Sequence, residues 1–510
     1  MEQARATCTL WCRALGHDEQ TPMTDQHLST ILGSIAEIIA ARSSLDDNHV
    51  HDITWQAFWR TVHASNPNAY ALAEVIALEF QELLRKPNAP LEVLCRYYTM
   101  LHDLYRLGSR RDSDVKRFDL NAVIPFAEWL HQNIQTITLR SRKSPTDRLR
   151  VGYLCSWAMF TDGNPVADIV HEAINCHATY QNRDIFTYVT IAGNDEYVHA
   201  LKNTAIRDIR QGYEFGSLVA AVDTVRNDHL DILIADGVGA TATYLFSSRV
   251  APIQMYYDYG CPFWSIPQLD WALSAQAENA ANLGLPAGRT TKSWSILLPT
   301  RRQRLWHEST NRLARLQFPA DQFVVGCIVR FSKISKEYIN VIKMLLEKRN
   351  DIHVVMIGPG ESAELTALAN DKRFAGRCSI VGGHQDITSY GPALDIFLDT
   401  FPHSGGAAAI EVAAHGVPIV SLETADSQRD FRSQRDPRLV AKSVEEYVQL
   451  TERLLDEKAW YTESARASME LARTFTDVDR MVANTEIAIE AALTYAKSMD
   501  GEHSRMSLAL

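Results

Sequence analysis

No Cys-x-x-Cys pair occurs in this 510-residue sequence, although it has eight cysteines. They stand at 8, 12, 95, 155, 176, 261, 327 and 378, and only Cys8 and Cys12 are close. Several lie inside apolar strand-like runs such as "VGYLCSW" and "VVGCIVRF". That pattern argues against a disulfide framework or a zinc site and for buried free thiols in a reducing compartment. A run of about 18 apolar residues is also lacking, so no membrane span is expected. The start, "MEQARATCTLWCRALGHDEQ", has no apolar stretch of signal-peptide length, and a cytoplasmic location is the expectation. Basic residues are in deficit: 51 Lys and Arg against 62 Asp and Glu give a formal net charge of -11. This weighs against a nucleic-acid partner and against adhesion to anionic lipid. With 46% hydrophobic and 22% charged residues, two or three domains can each bury a core.

Residues 1–145 read as helical. "HLSTILGSIAEIIAARSSL" carries Leu28, Ile31, Leu32, Ile35 and Ile38 at helical spacing. "NAYALAEVIALEFQELLRK" and "LEVLCRYYTMLHDLYRLG" repeat the pattern, without a clear 34-residue repeat. This segment is expected to serve packing or self-association, the latter giving a homo-oligomer. A basic linker, "LRSRKSPTDR" (139–148), follows. From Leu149 strands alternate with helices, including a helix over "EYVHALKNTA" (196–205). The alternation restarts at "QFVVGCIVRF". The pattern predicts an α/β chain of two doubly wound, Rossmann-like units, 149–300 and 301–510, behind an all-α N-terminal domain. Both closing helices are assigned to the second unit. Ligands of such sheets bind at the carboxyl ends of strands where strand order reverses, and two facing units make a cleft.

The densest motif is "LDTFPHSGGAAAIEVAAHGVPIVSLE" (398–423). A strand ends at Asp399, a turn carries Ser404, Gly405 and Gly406, and a helix begins near Ala407 and stops at Gly416. Small residues leave the helix-start amides of Ala407 and Ala408 open to an anion such as phosphate. Glu411, one turn in, is placed to accept from ribose hydroxyls. Tight helix-to-sheet packing asks for the same small residues, so the motif alone admits both readings. In "VRFSKISKEYIN", Arg330 and Lys333 lie just past a strand, where a cation can neutralise a departing diphosphate; a solvated loop charge is the alternative. His384 in "GHQD" could stack on or bond to a base. In the first unit, Asp162 of "FTDGNPVAD" is the carboxylate best placed as base or acceptor-orienting group. "YYDYGCPFW" (256–264) suits either an acceptor groove or sheet-edge packing. His171 and His177 read as core or surface histidines.

These features resemble a GT-B glycosyltransferase, and more narrowly the O-linked N-acetylglucosamine transferase family with its bacterial relatives, the cytosolic adhesin N-glucosyltransferases. "RLRVGYLCSWAMFTDGNP", "DILIADGVGATATYLFSSRVAPIQMYYDYGCP" and "DTFPHSGGAAAIEVAAHGVPIVSL" carry the resemblance, over about residues 149–480. It implies that Lys333 binds the donor diphosphate, that Arg330 stands where a glutamine usually lies near the nucleotide, and that the amides from Gly405 to Ala408 hold the diphosphate. Ala407 and Ala408 replace the family's usual threonines. Glu411 falls where an acidic residue binds ribose, and Asn164 where the family has an active-site histidine. The helical segment resembles the bacterial enzymes' helical domain in position only. The resemblance implies inverting transfer from a UDP-linked sugar to a protein or peptide side chain. No cofactor is expected. No metal is implied, because no DxD-type cluster sits at a strand end and a lysine can take its part. Two alternatives stay open: a catalytically silent nucleotide-sugar or protein-binding module, and a glycosyltransferase with a lipid, glycan or small-molecule acceptor.

Overall fold

A computed structural model describes residues 69–86, 89–108, 117–134, 148–155, 165–190, 201–209, 215–237, 239–258, 264, 266–274, 292–295, 313–360, 362–383, 385, 387–423, 435–475 and 478–507. The helix expected at 27–45 and most of the linker at 139–148 lie outside the described residues. Among the described residues, no helix is long and apolar enough to cross a membrane.

Three helices come first: α1 (Ala69–Leu84), α2 (Leu91–Gly108) and α3 (Ile124–Asn133), the last entered through a π-helical turn at Asp119–Val123. Phe80, Tyr97, Tyr98, Phe118 and Phe126 are fully buried among them. Each such side chain contributes about 1.5–3 kcal/mol when removed from water.

The first α/β unit follows as β1 (Leu149–Cys155), α4 (Pro165–His177), β2 (Arg183–Val189), β3 (Ala205–Asp208), α5 (Phe215–Asn227), β4 (Ile232–Ala235), α6 (Ala240–Ser247), β5 (Ile253–Asp258), β6 (Trp271–Ser274) and β7 (Lys292–Ser295). The strands form one parallel sheet in the order β3-β2-β1-β4-β5-β6-β7. Successive residues of a strand point to opposite faces, and the core divides accordingly. Leu154, Phe186, Tyr188, Leu233, Ala235 and Tyr256 share a core with α1, α2, α3, α5 and α6. Val151, Tyr153, Ile185, Ile232, Ile234, Met255 and Tyr257 face the other way. The described helices of the N-terminal segment therefore pack on the first unit, with α2 and α3 against α6, where Thr243 donates to the Tyr98 hydroxyl at 2.9 Å.

Two expectations for this unit change. Leu201–Thr204, the described part of the helix expected over 196–205 that precedes β3, is not helical. Asn203 has φ of 55° and Ala205 opens an edge strand. Tertiary contacts override helical propensity here: Arg207 lies 5.6 Å over the Phe186 ring and pairs with Asp228 at 2.8 Å. β6 and β7 extend the sheet beyond the expected strands; β7 is short and polar, so it carries no hydrophobic signature.

The second unit comprises β8 (Phe323–Ile328), α7 (Lys336–Lys348), β9 (Ile352–Gly358), α8 (Ala363–Ala369), β10 (Cys378–Gly382), α9 (Ile387–Tyr390), β11 (Ile396–Leu398), α10 (Ala407–Ala413), β12 (Ile419–Leu422), β13 (Val440–Ala441), α11 (Val444–Asp456) and α12 (Lys458–Phe475). Its parallel order is β10-β9-β8-β11-β12-β13. Strand order reverses between β8 and β11, which brings the loops after those two strands together.

The last helix, α13 (Val478–Ser507), corrects the assignment of both closing helices to the second unit. Val478, Met481, Val482, Ala488, Ile489 and Ala492 complete the free face of the first sheet. The polar side of the contact is equally specific. Tyr153 bonds through its hydroxyl to His177 Nδ1 at 2.6 Å, and His177 Nε2 bonds to Glu486. Arg183 donates from Nε to both Glu486 oxygens at 3.0 and 3.1 Å, and Tyr257 meets Thr485.

Burial raises the Glu486 carboxyl, but the hydrogen bonds from His177 and Arg183 outweigh it and hold the group down at about 2, against its ordinary 4.5. A folded-state value below the unfolded one stabilises the protein above the unfolded value, and that stability is lost as pH falls from about 4.5 towards about 2. Replacing Glu486 by Gln is expected to lower stability at neutral pH by about 2–3 kcal/mol and to flatten the acid limb in that window. Denaturant titrations of both proteins at several pH values check it, and parallel pH profiles would refute it.

Candidate functional site

β11 ends in a buried carboxylate. Asp399 is 0% exposed. Its Oδ1 accepts from the Gly405 amide at 2.6 Å, and its Oδ2 accepts from Ser404 Oγ at 2.8 Å and Ser421 Oγ at 3.0 Å. The guanidinium of Arg435, also buried, lies 3.7 Å from the same oxygen. The turn is braced from behind as well. Tyr338 donates to the Leu398 carbonyl at 2.8 Å and Tyr447 to the Asp399 carbonyl at 3.1 Å. Phe401 packs edge-on to both of those rings.

Lys333 reaches this turn from the other side of the strand reversal. It closes the short 3-10 helix Phe331–Lys333 after β8, and its Nζ donates to the Ser404 carbonyl at 2.7 Å. A charge-assisted bond of this length is stronger than a neutral one. The structure thus brings together two stretches 71 residues apart. Arg330, at the end of β8, is exposed.

The amide inventory is narrower than the sequence suggests. Gly405 N–H is committed to Asp399, and Gly406 N–H to Ser404 Oγ at 3.1 Å. The Ala409 amide bends back to the Gly406 carbonyl at 3.2 Å. Ala407 and Ala408 open the helix, and helical geometry supplies no acceptor for their amides. Glu411 lies within α10 and is only 2% exposed.

The described parts of the expected acceptor side are packing groups. Tyr256, Tyr257 and Trp264 are buried, and Trp264 donates to Thr243 Oγ1 at 3.1 Å. Gln254 of "APIQ" is buried and ties the Phe246 and Gln268 carbonyls together at 3.0 and 2.9 Å. His177 is a core residue, and His171 pairs with Asn175 on its own helix. Asp162, Asn164 and His384 lie outside the described residues. Sequence reading missed two members of the cluster, Asp399 as a ligand of the turn and Arg435. An aspartate closing an apolar strand just before Ser-Gly-Gly was a signal for the first. Arg435 had none, being 36 residues further along.

Residues 322–457 match the family model of glycosyl transferases group 1. That segment contains Lys333, the glycine turn and Arg435. No curated protein matches the sequence as a relative. Among solved structures, a mutant of the O-GlcNAc transferase of Thermobaculum terrenum aligns with a TM-score of 0.57 and 17% identity, covering 94% of this chain and 100% of that one. HepE of Anabaena in complex with UDP aligns with a TM-score of 0.50 and 13% identity, covering 68% of this chain and 100% of HepE. The fold is GT-B, and within it the segment 322–457 is similar to group 1 glycosyl transferases.

Gly406 caps α10 with φ of 59° and ψ of -129°, a conformation that L side chains rarely adopt. Gly406→Ala is expected to cost about 1–3 kcal/mol of stability. The guanidinium-induced unfolding midpoint checks this, and an unchanged midpoint would show that the turn relaxes freely.

Proposed function

We propose that this protein transfers a sugar from a nucleotide diphosphate sugar, UDP-linked, to a protein or peptide side chain, with inversion and without a metal ion. One observation carries the reading: the Lys333 ammonium is fixed on the Ser404 carbonyl at the start of α10. It stands in the segment that matches group 1 glycosyl transferases. UDP as the nucleotude's identity draws support from HepE, a protein of the same fold solved with UDP.

In such a transfer the acceptor atom bonds to the anomeric carbon while the bond from that carbon to the diphosphate oxygen breaks. The electron pair leaves with the diphosphate, and the acceptor's proton passes to a base. Lys333 is assigned the growing negative charge on the leaving diphosphate, which a prepositioned cation stabilises most where charge develops. The amides of Ala407 and Ala408 are assigned its oxygens, and Glu411 the ribose hydroxyls. Arg330 and His384 are assigned to the nucleotide, and Asp162 and Asn164 to the acceptor side.

Lys333→Ala is expected to weaken UDP binding by roughly 1.5–3 kcal/mol, about 10- to 150-fold in Kd. Isothermal titration calorimetry reads this, and a wild-type Kd in the variant would remove Lys333 from the site. A panel of UDP-sugars incubated with the cognate proteome and read by mass spectrometry tests transfer; binding without turnover would favour a silent binding module.

Glu411→Gln is expected to weaken UDP binding and to shrink the difference between UDP and 2′-deoxy-UDP. An undiminished difference would reject the ribose contact.

A further inference from the structure

Ser404 is the junction of the site. Its carbonyl receives Lys333 at 2.7 Å. Its hydroxyl donates to Asp399 Oδ2 at 2.8 Å and accepts from the Gly406 amide at 3.1 Å and from Arg435 at 3.3 Å. A hydroxyl has one proton to give and two lone pairs, so all three positions are filled. Asp399 and Arg435 are both buried, and a buried ion pair holds its geometry because breaking it leaves an uncompensated charge. Ser421 also donates to Asp399 Oδ2, at 3.0 Å, but it belongs to β12 and not to the turn.

We propose that Asp399 and Arg435, through the Ser404 hydroxyl, are positioning residues for the donor: they hold the Ser404 carbonyl where it fixes the Lys333 ammonium against the leaving diphosphate. Neither touches the donor, and both act through Lys333. This rests on the function proposed above and deepens it. It separates the two hydroxyls on one carboxylate oxygen. A merely structural role makes Ser404 and Ser421 equivalent, whereas a positioning role makes only Ser404 matter to the donor.

The test is UDP binding by calorimetry, with thermal unfolding measured alongside, on the full chain. Ser404→Ala is expected to weaken UDP binding about tenfold. Ser421→Ala is expected to lower the melting temperature similarly and leave the UDP Kd unchanged. In a Lys333→Ala background, Ser404→Ala is expected to cost nothing further, because groups acting through one another are not additive. Losses that add would show that Ser404 acts on the donor by a route other than Lys333, such as the Ala407 and Ala408 amides, and would overturn the proposal. Equal UDP affinities for the two serine variants would overturn it too. Asp399→Asn keeps an acceptor for Gly405 but turns an NH2 towards Arg435 and both serines. Where it folds, its UDP affinity is expected to fall at least as far as that of Ser404→Ala, and a wild-type Kd would count against the proposal; where it does not, the serine pair decides. Lack of UDP binding by the wild type, or an unchanged Kd in Lys333→Ala, would defeat the functional reading itself. A tenfold or larger loss in Lys333→Ala beside a silent Ser404→Ala would defeat only the positioning role.

Discussion

A carboxylate sealed from water at the end of β11 sets the terms for the second unit. Asp399 cannot be hydrated where it lies, so its charge must be met by protein donors. A main-chain amide and two hydroxyls donate to it, and a guanidinium lies 3.7 Å away as its counter-charge; they are drawn from the turn, from β12 and from beyond it. Each is held to a narrow range of positions by the need to satisfy one anion. The turn at 404–406 therefore owes its shape to charge neutralisation as much as to its glycines. Gly405 has little room for a side chain: a β-carbon there would come 3.0 Å from Phe397 and 3.2 Å from Asp399.

The same unit shows how a doubly wound sheet assembles a site from distant stretches. β8 and β11 are neighbours although two strands and three α-helices, α7 to α9, separate them in sequence. Their following loops must meet at the carboxyl edge, where ligands of such sheets bind. Lys333 and Ser404 are the residues that do so. The group 1 glycosyl transferase match lies within this unit, over residues 322–457, and the GT-B likeness extends across both units.

Much of this was legible from residue pattern. Buried parallel strands such as "VVGCIV" and "HVVMIG" are short apolar runs ended by glycine or a cation, and they announce both the sheet and its carboxyl edge. Lys333 and the Ser404–Ala408 turn were visible because each follows such a strand directly. What escaped depends on partners far away in sequence. β3 is a strand because Arg207 finds Phe186 and Asp228, and neither is legible from "AIRD". The allegiance of α13 rests on Glu486 meeting His177 and Arg183 about 300 residues earlier. Glycine amides read as open to a ligand proved to be taken by Asp399 and Ser404, a competition that no local pattern reports.

The crossing of α13 also fixes an order of events during synthesis. The first unit is discontinuous: residues 148–274 supply most of its sheet, and residues 478–492 supply one wall of its core. The whole second unit is made in between. Domains generally fold as units, from the N-terminal side, while the chain is being made. Here the first sheet is made early but keeps the apolar face formed by Val151, Ile232, Ile234 and Met255 without its α13 cover until the last helix emerges. The second unit, whose core is drawn from residues 314–472, has all its own pieces sooner. The half that is translated later is thus the half that can finish first, and the earlier half waits for the chain to return to it.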